Sequence, residues 1–235
     1  GTHLSYHHEV ICGLYSVVET KSMLQITVPM LNQINVGYSS GKTHPTEKGE
    51  LNGYEKIRFR AFSFSSSKDT RNKRFLPTQG TKITSSIDAG LQSENGFLKS
   101  EANFQYLHSF TKNVHGLVRW MGHGIHGFDS IIPKSRYVLY GGNSTLRGFR
   151  EQSFAATQFQ ITTFEAAFQP GQGYQTNLFL DIGSNRLVII ENKKIGYGFG
   201  LTQLNEKSLI KVQYALAFGQ GFSNGKLHIK WISRL

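Results

Sequence analysis

The sequence predicts an all-β fold of antiparallel strands, and three observations carry that prediction. Apolar and polar residues alternate with a period of two along much of the chain, the pattern of strands with two unlike faces. Turn-forming residues are led by glycine, with 25 Gly against 5 Pro, while aromatic residues reach 12% and charged residues only 17%. Blocks with the period of an amphipathic helix are scarce. The 235 residues suffice for one large β domain or two small ones.

Two apolar but irregular stretches open the chain, Leu4 to Val18 and Met23 to Tyr38, with Pro29 placed to end a strand or make a turn. Ser39 to Gly53 is polar and rich in turn formers. Glu55 to Ser65 then alternates, with Ile57, Phe59, Ala61 and Phe64 separated by Arg58, Arg60 and Ser63, and reads as a long strand. A loop from Lys68 to Arg74 leads through "FLPTQG" to a strand from Thr81 to Leu91; Phe97 to Phe110 and Val114 to Gly127 supply two more. After a loop of about 20 residues the segments become shorter and more regular: Phe154 to Phe168, Gln175 to Gly183, Lys194 to Leu204, Leu209 to Phe218 and Lys226 to Ser233. The expected total is eleven or twelve strands, many of them roughly 10 residues long, about what a tilted strand needs to cross a bilayer core.

The faces of these strands bear on where the grease lies. Ile210, Val212, Tyr214, Leu216 and Phe218 share a side, opposed by Lys211, Gln213, Ala215, Ala217 and Gly219. Tyr197, Phe199 and Leu201 oppose Gly196, Gly198, Gly200 and Thr202, while Leu178, Leu180 and Ile182 oppose Asn177, Phe179, Asp181 and Gly183. Leu227, Ile229 and Trp231 oppose His228 and Lys230. A soluble sandwich also alternates, with its large apolar face inward. Small and glycine-rich opposite faces favour a transmembrane barrel with room inside and apolar residues outside, and leave a soluble sandwich or soluble barrel as the alternative.

The formal charge of +11 would suit nucleic acid, anionic lipid or an acidic partner, but the basic residues are spread along the chain and form no block, so nucleic-acid binding is not expected. Cys12 is the single cysteine, which excludes an internal disulfide and a cysteine-based metal cluster. No segment reaches the roughly 18 consecutive apolar residues of a spanning helix. Gly1-Thr2-His3 lacks a charged and then apolar leader, so a mature form or a fragment is expected. The negative mean hydropathy does not exclude a membrane barrel, whose strands show lipid only every second residue.

Arg147 lies in the long loop after Gly127, bracketed by Gly141, Gly142 and Gly148 in "VLYGGNSTLRGFREQSF". Glycines permit positive φ and close backbone approach, so this loop can fold tightly and its tip can enter a cavity. A guanidinium placed there needs a partner, and two carboxylates follow on nearby strands. Asp181 falls on the small and polar face of its strand, and Glu165 interrupts the apolar run "TFEAAF". A charge-assisted, bidentate contact is geometrically available. The alternative is that all three groups are separately solvated.

"GGNSTLRGF", with "FLPTQG" upstream, "FLD" downstream and a final amphipathic strand, resembles the BamA/TamA/TpsB superfamily of outer-membrane assembly and secretion barrels, over roughly Tyr54 to Leu235. Leu146-Arg147-Gly148-Phe149 matches the family's loop motif, and Phe179-Leu180-Asp181 its F-x-D motif on a later strand. Gly141-Gly142 fits the family's glycine pair, Glu165 its acidic residue on the intervening strand, and Pro77-Thr78-Gln79-Gly80 the proline and glycine that open an earlier strand. The resemblance implies an antiparallel transmembrane β-barrel in which the loop folds into the lumen and Arg147 contacts Asp181. It implies residues 1–235 as a single barrel domain, a C-terminal portion or short variant with about twelve strands against a family norm of sixteen, and without POTRA domains. The family's terminal aromatic residue is replaced by Ser233-Arg234-Leu235.

The implied function is insertion or assembly of outer-membrane proteins, or polypeptide translocation, in the bacterial outer membrane. The expected partners are outer-membrane lipids and client polypeptides or other outer-membrane complex subunits, with no cofactor. In the insertase version, the last strand, with Leu227, Ile229 and Trp231, lies at a lateral seam. The alternative is a non-catalytic membrane anchor or structural barrel subunit, of a larger complex or of a lost enzyme fusion such as a patatin-type lipase. No G-x-S-x-G, phosphate loop or nucleophile and base pair is found, so catalysis is not expected. His123 and His126 point to opposite faces of a strand and His7-His8 are adjacent, so neither pair is read as a metal site. "LPTQG" is read as a turn, and Asn143-Ser144-Thr145, formally a glycosylation sequon, carries no weight in a bacterial protein.

Overall fold

Alternation of inward and outward side chains builds strands throughout the chain. The computed structural model describes residues 2–11, 13–28, 33–128, 131–171, 173–187, 192–206 and 208–233. The strands are β1 (Thr2–Ile11), β2 (Tyr15–Ile26), β3 (Gln33–Pro45), β4 (Ile57–Asp69), β5 (Gly80–Gln92), β6 (Asn95–Ser109) and β7 (Val114–Gly127). After the long loop come β10 (Gln158–Gly171), β11 (Tyr174–Ser184), β12 (Lys194–Leu204), β13 (Ser208–Ala217) and β14 (Lys226–Ser233). The loop itself holds β8 (Val138–Tyr140) and β9 (Phe154–Ala156), which pair as a separate two-stranded ribbon. The other twelve strands form one sheet, in the order β1-β2-β3-β4-β5-β6-β7-β10-β11-β12-β13-β14. One short helix, α1 (Glu47–Leu51), follows β3. No helix among the described residues is long and apolar enough to cross a membrane.

The N-terminal third departs from the sequence reading. The stretch Leu4 to Val18 is broken by a tight turn in which Gly13 has a φ of 65° and Leu14 donates to the Ile11 carbonyl at 2.9 Å. Three strands therefore stand where two were expected, each antiparallel to the next. Cys12 and Pro29 lie outside the described residues. Ser39 to Gly53, polar and rich in turn formers, is strand as far as Pro45, with Ser39 and Thr43 almost fully buried, and the helix and turn come after it. Thr43 accounts for its hydroxyl by donating to the Glu55 carbonyl and accepting from the Ile57 amide, both at 3.1 Å. Thr46 then caps α1, accepting from the Gly49 amide at 3.1 Å.

Along β4, Ile57, Phe59, Ala61 and Ser63 are buried, while Phe62 and Phe64 are exposed on the other face. Phe64 thus sides with Arg58 and Arg60, because strict alternation leaves no room for the irregular spacing read from the sequence. The expected strand Phe154 to Phe168 is also divided, with β9 turning away into the ribbon before β10 begins.

The chain separates into two compact units. One comprises residues 1–68, 84–102 and 123–138; the other comprises residues 69–83, 103–122 and 139–235. In the second unit, Leu146, Phe159, Ile161 and Phe179 are buried, yet many large apolar strand residues are exposed beside buried polar ones. Leu178, Phe199, Leu201, Leu227, Ile229 and Trp231 are exposed, whereas Thr163, Asn177, Asp181, Thr202 and Gln213 are buried. Register explains the regularity: β10 to β13 pair so that Thr163, Asp181, Gly196 and Ala217 form one cross-strand row of small and polar residues. Beside it runs the row Glu165, Phe179, Gly198 and Ala215.

Candidate functional site: an arginine loop against the strands

The loop between β8 and β9 is fixed by its own backbone. Gly141, Gly142 and Gly148 have φ of 110°, 94° and 90°, a region that L side chains rarely adopt. Gly142 donates to the Leu146 carbonyl at 2.9 Å, and Thr145 Oγ1 accepts from the Gly141 amide at 2.8 Å. Glu151 closes the turn from the other side, its Oε2 accepting from the Asn143 amide at 2.9 Å. A Cβ at Gly142 would overlap that carboxylate, so glycine is required there for space as well as for φ. Tyr140 stacks on Phe159 with centroids 4.7 Å apart, and Phe149 meets Phe154 edge-on at 5.2 Å.

This fold carries Leu146 and Arg147 into a buried position. Arg147 Nε donates to Asp181 Oδ2 at 2.7 Å and Nη2 to Asp181 Oδ1 at 2.7 Å, a bidentate fork-to-fork pair. The Arg147 backbone amide donates to the same Oδ2 at 3.1 Å, and Nη1 reaches Glu165 Oε2 at 3.3 Å. The guanidinium carbon lies 3.4 Å over the centroid of the Phe179 ring. Arg147, Asp181, Glu165 and Phe179 therefore meet at one point, with Asp181 fully buried. Burial alone would lower the basicity of the Arg147 guanidinium. The Asp181 hydrogen bonds and the two carboxylate charges outweigh it, and its pKa is raised.

Several members of the cluster escape sequence reading. Thr163 donates from Oγ1 to Asp181 Oδ1 at 2.8 Å, and Arg119 Nη2 donates to Thr163 Oγ1 at 3.1 Å. Thr163 sits directly across from Asp181, so strand register is the signal that finds it. Gly196 is required by close approach, since a Cβ there would overlap the Arg147 carbonyl oxygen. Gly148 packs its α-carbon on the Leu216 carbonyl, where a Cβ would come within 2.7 Å of the oxygen. The loop thus lies against Gly196 of β12 and the backbone of Leu216 and Ala217 at the end of β13.

The remaining sequence candidates lie elsewhere. Leu227, Ile229 and Trp231 are exposed on β14 and pair with Tyr214, Val212 and Ile210 of β13. On the same strand His228 Nε2 faces the Gly148 amide at 3.5 Å. His123 Nε2 lies 3.3 Å from Glu101 Oε1, while His126 is exposed and meets Phe128 edge-on at 5.8 Å. His7 faces Glu9 at 3.3 Å on exposed β1. Among the described residues no group of three or more His, Cys, Asp or Glu is placed to hold a metal ion.

Comparison with known proteins gives a consistent assignment. The Omp85 superfamily domain model matches residues 24–225. Among solved structures, BamA from Haemophilus ducreyi lacking POTRA domains 1–3 superposes with a TM-score of 0.75 at 14% identity, covering 97% of this chain and 56% of that one. CdiB from Acinetobacter baumannii gives a TM-score of 0.60 at 12% identity, covering 93% of this chain and 41% of that one. The chain therefore spans about half the length of these structures. No curated protein sequence matches it.

Proposed function

The chain belongs to the Omp85 superfamily, and from that premise we propose that it is a transmembrane β-barrel of the bacterial outer membrane that inserts or assembles outer-membrane proteins or passes polypeptides across. The observation that carries this reading is the Arg147–Asp181 pair, with nitrogen-to-oxygen distances of 2.7 Å, at the point where a glycine-bracketed loop meets the polar face of the strands. In this reading residues 1–235 form one barrel domain, and Arg147, Gly148, Phe149, Gly141 and Gly142 form the lumenal loop. Asp181, Glu165 and Phe179 are its partners on the wall. A charged cluster of this kind belongs inside a barrel, away from lipid, and the exposed band that includes Phe199, Leu201, Leu227, Ile229 and Trp231 supplies the lipid-facing surface.

The mechanism asked of such a protein is physical. β14 ends the hydrogen-bonded order of the sheet, and a terminal strand offers backbone donors and acceptors that an incoming strand of a client can pair with. Leu227, Ile229 and Trp231 border that seam on the lipid side. Client strands and outer-membrane lipids are the partners of this reading, and it requires no cofactor and no catalytic step.

A second reading is a structural barrel or membrane anchor, which needs only the exposed apolar band and the loop held by the Arg147–Asp181 pair. Liposomes containing the refolded chain separate the two. The rate at which an added unfolded barrel protein becomes heat-modifiable is expected to rise above that in empty liposomes. An unchanged rate rejects the insertase and leaves polypeptide passage and the anchor.

A further inference from the structure

The second unit holds a chamber of about 230 Å³ beside the loop tip, and its chemistry is one-sided. Arg119, Arg147, Lys211 and Lys230 line it, while Glu165 is the carboxylate in its wall. Glu165 is engaged by Arg147, and Asp181 is consumed by the bidentate pair behind it. Lys211 and Lys230 stand directly opposite each other on β13 and β14. Like charges in that position repel, and here no carboxylate lies within ion-pair distance of either among the described residues.

Unused donors point the same way. Gln213 lines the chamber at 2% exposure, and its Nε2 has no hydrogen-bond partner. The buried Nε of Arg119 also has none. Lysine and arginine offer donors and no acceptor, so among these side chains only the Gln213 carbonyl oxygen can accept. The one carboxylate of the wall, Glu165, is already engaged by Arg147, so the cations of the lining outnumber the negative charge facing them. The chamber's volume is below the roughly 300–1,000 Å³ of pockets for organic ligands, and suits one tetrahedral or planar oxyanion with some water.

We propose that this chamber is an oxyanion site, taking a phosphate- or sulfate-like ion or a carboxylate carried on a polypeptide, with Lys211, Lys230, Arg119 and Gln213 as its donors. The site is separate from the Arg147–Asp181 pair in its donors, and it stands whether the chain inserts, translocates or anchors. Occupancy balances the facing lysines and ties β13 and β14 to the arginine loop through a shared ligand.

The test uses the full chain folded in detergent, titrated at constant ionic strength with inorganic phosphate, sulfate, and a short peptide in carboxylate and amide forms. Saturable binding of phosphate or sulfate is expected, with a rise in the gel-shift melting midpoint over a chloride control. Binding of the carboxylate peptide and not its amide assigns the polypeptide-carried source; binding of the inorganic ions alone assigns the free one. Lys211→Gln is expected to weaken binding by about tenfold or more. In chloride the same variant should melt no lower than the wild type, because it removes a facing like charge. Should Lys211→Gln not fold, Lys230→Gln on the exposed last strand gives the same readout. No saturable response to any of the four probes, or wild-type affinity in both variants, overturns the proposal.

Discussion

Arg136 and Arg147 belong to the same long loop between β7 and β10, and both guanidinium groups lie on aromatic rings. Arg147 sits 3.4 Å over Phe179 and adds a bidentate grip on Asp181. Arg136 sits 3.9 Å from the centroid of Phe59 and 5.0 Å from that of Phe97, and its buried Nε has no hydrogen-bond partner. Their basicity moves in opposite directions. For Arg136 burial dominates over the more distant charges of Glu19 and Asp88, and its pKa is lowered; for Arg147 the paired carboxylates dominate and its pKa is raised. The difference separates two ways of fixing a loop. A ring face holds a cation through its quadrupole and contact area, whereas a carboxylate fork also sets its orientation.

The largest expected effect comes from breaking the fork. Arg147→Ala leaves Asp181 buried without its cation, and Asp181→Ala leaves Arg147 with Glu165 at 3.3 Å as its carboxylate partner and the Phe179 ring beneath it. Each should destabilise the folded chain by about 3–5 kcal/mol, the usual range for stranding one member of a buried pair. Urea titration followed by gel shift measures this. The double variant should lose less than the sum of the two, since no charge is then stranded. Purely additive losses mean that the two residues act independently.

A smaller effect tests whether the loop lies against β12. Gly196→Ala inserts a methyl group against the Arg147 carbonyl and should cost about 1–3 kcal/mol, as overpacking does. Gly171→Ala is the control, because nothing lies within 4 Å of a Cβ there, and it should stay within about 0.5 kcal/mol. Equal losses at the two glycines mean that the glycine face serves something other than loop seating.

These contrasts also mark what a linear sequence reveals. The faces of β11 to β13 are readable because large apolar residues stand against glycine, alanine and polar residues, without a break from Tyr197 to Leu201 and with Phe179 as the exception in β11. The all-β class follows from that. β3 was hidden because its inward residues are Ser39 and Thr43, which a reading based on apolar periodicity scores as loop. The hairpin at Gly13 was hidden because the residues flanking it, Ile11 and Leu14, are as apolar as a strand interior. In the site, Arg147, Asp181 and Glu165 stand out as charges in apolar or glycine-rich surroundings. Thr163 and Arg119 do not, because only register says which threonine lies opposite Asp181. Arg136 is less legible still, since the rings that seat it are at Phe59 and Phe97, far away along the chain.

The smallest effect is expected at Arg136, and it is the one that divides ring seating from ion pairing most cleanly. Arg136→Leu removes the cation–π attraction, worth about 0.5–2 kcal/mol, but it also removes a buried donor that has no partner and keeps apolar contact with Phe59 and Phe97. These terms oppose each other, so the net change should stay below about 1 kcal/mol. Arg147→Leu has no such compensation, because it leaves the fully buried Asp181 without its guanidinium. The pair of leucine variants should therefore differ by several-fold in stability loss under the same urea titration. If Arg136→Leu proves as costly as Arg147→Leu, the Phe59 and Phe97 seat is carrying an interaction stronger than a ring face supplies, and the distinction between the two anchors collapses.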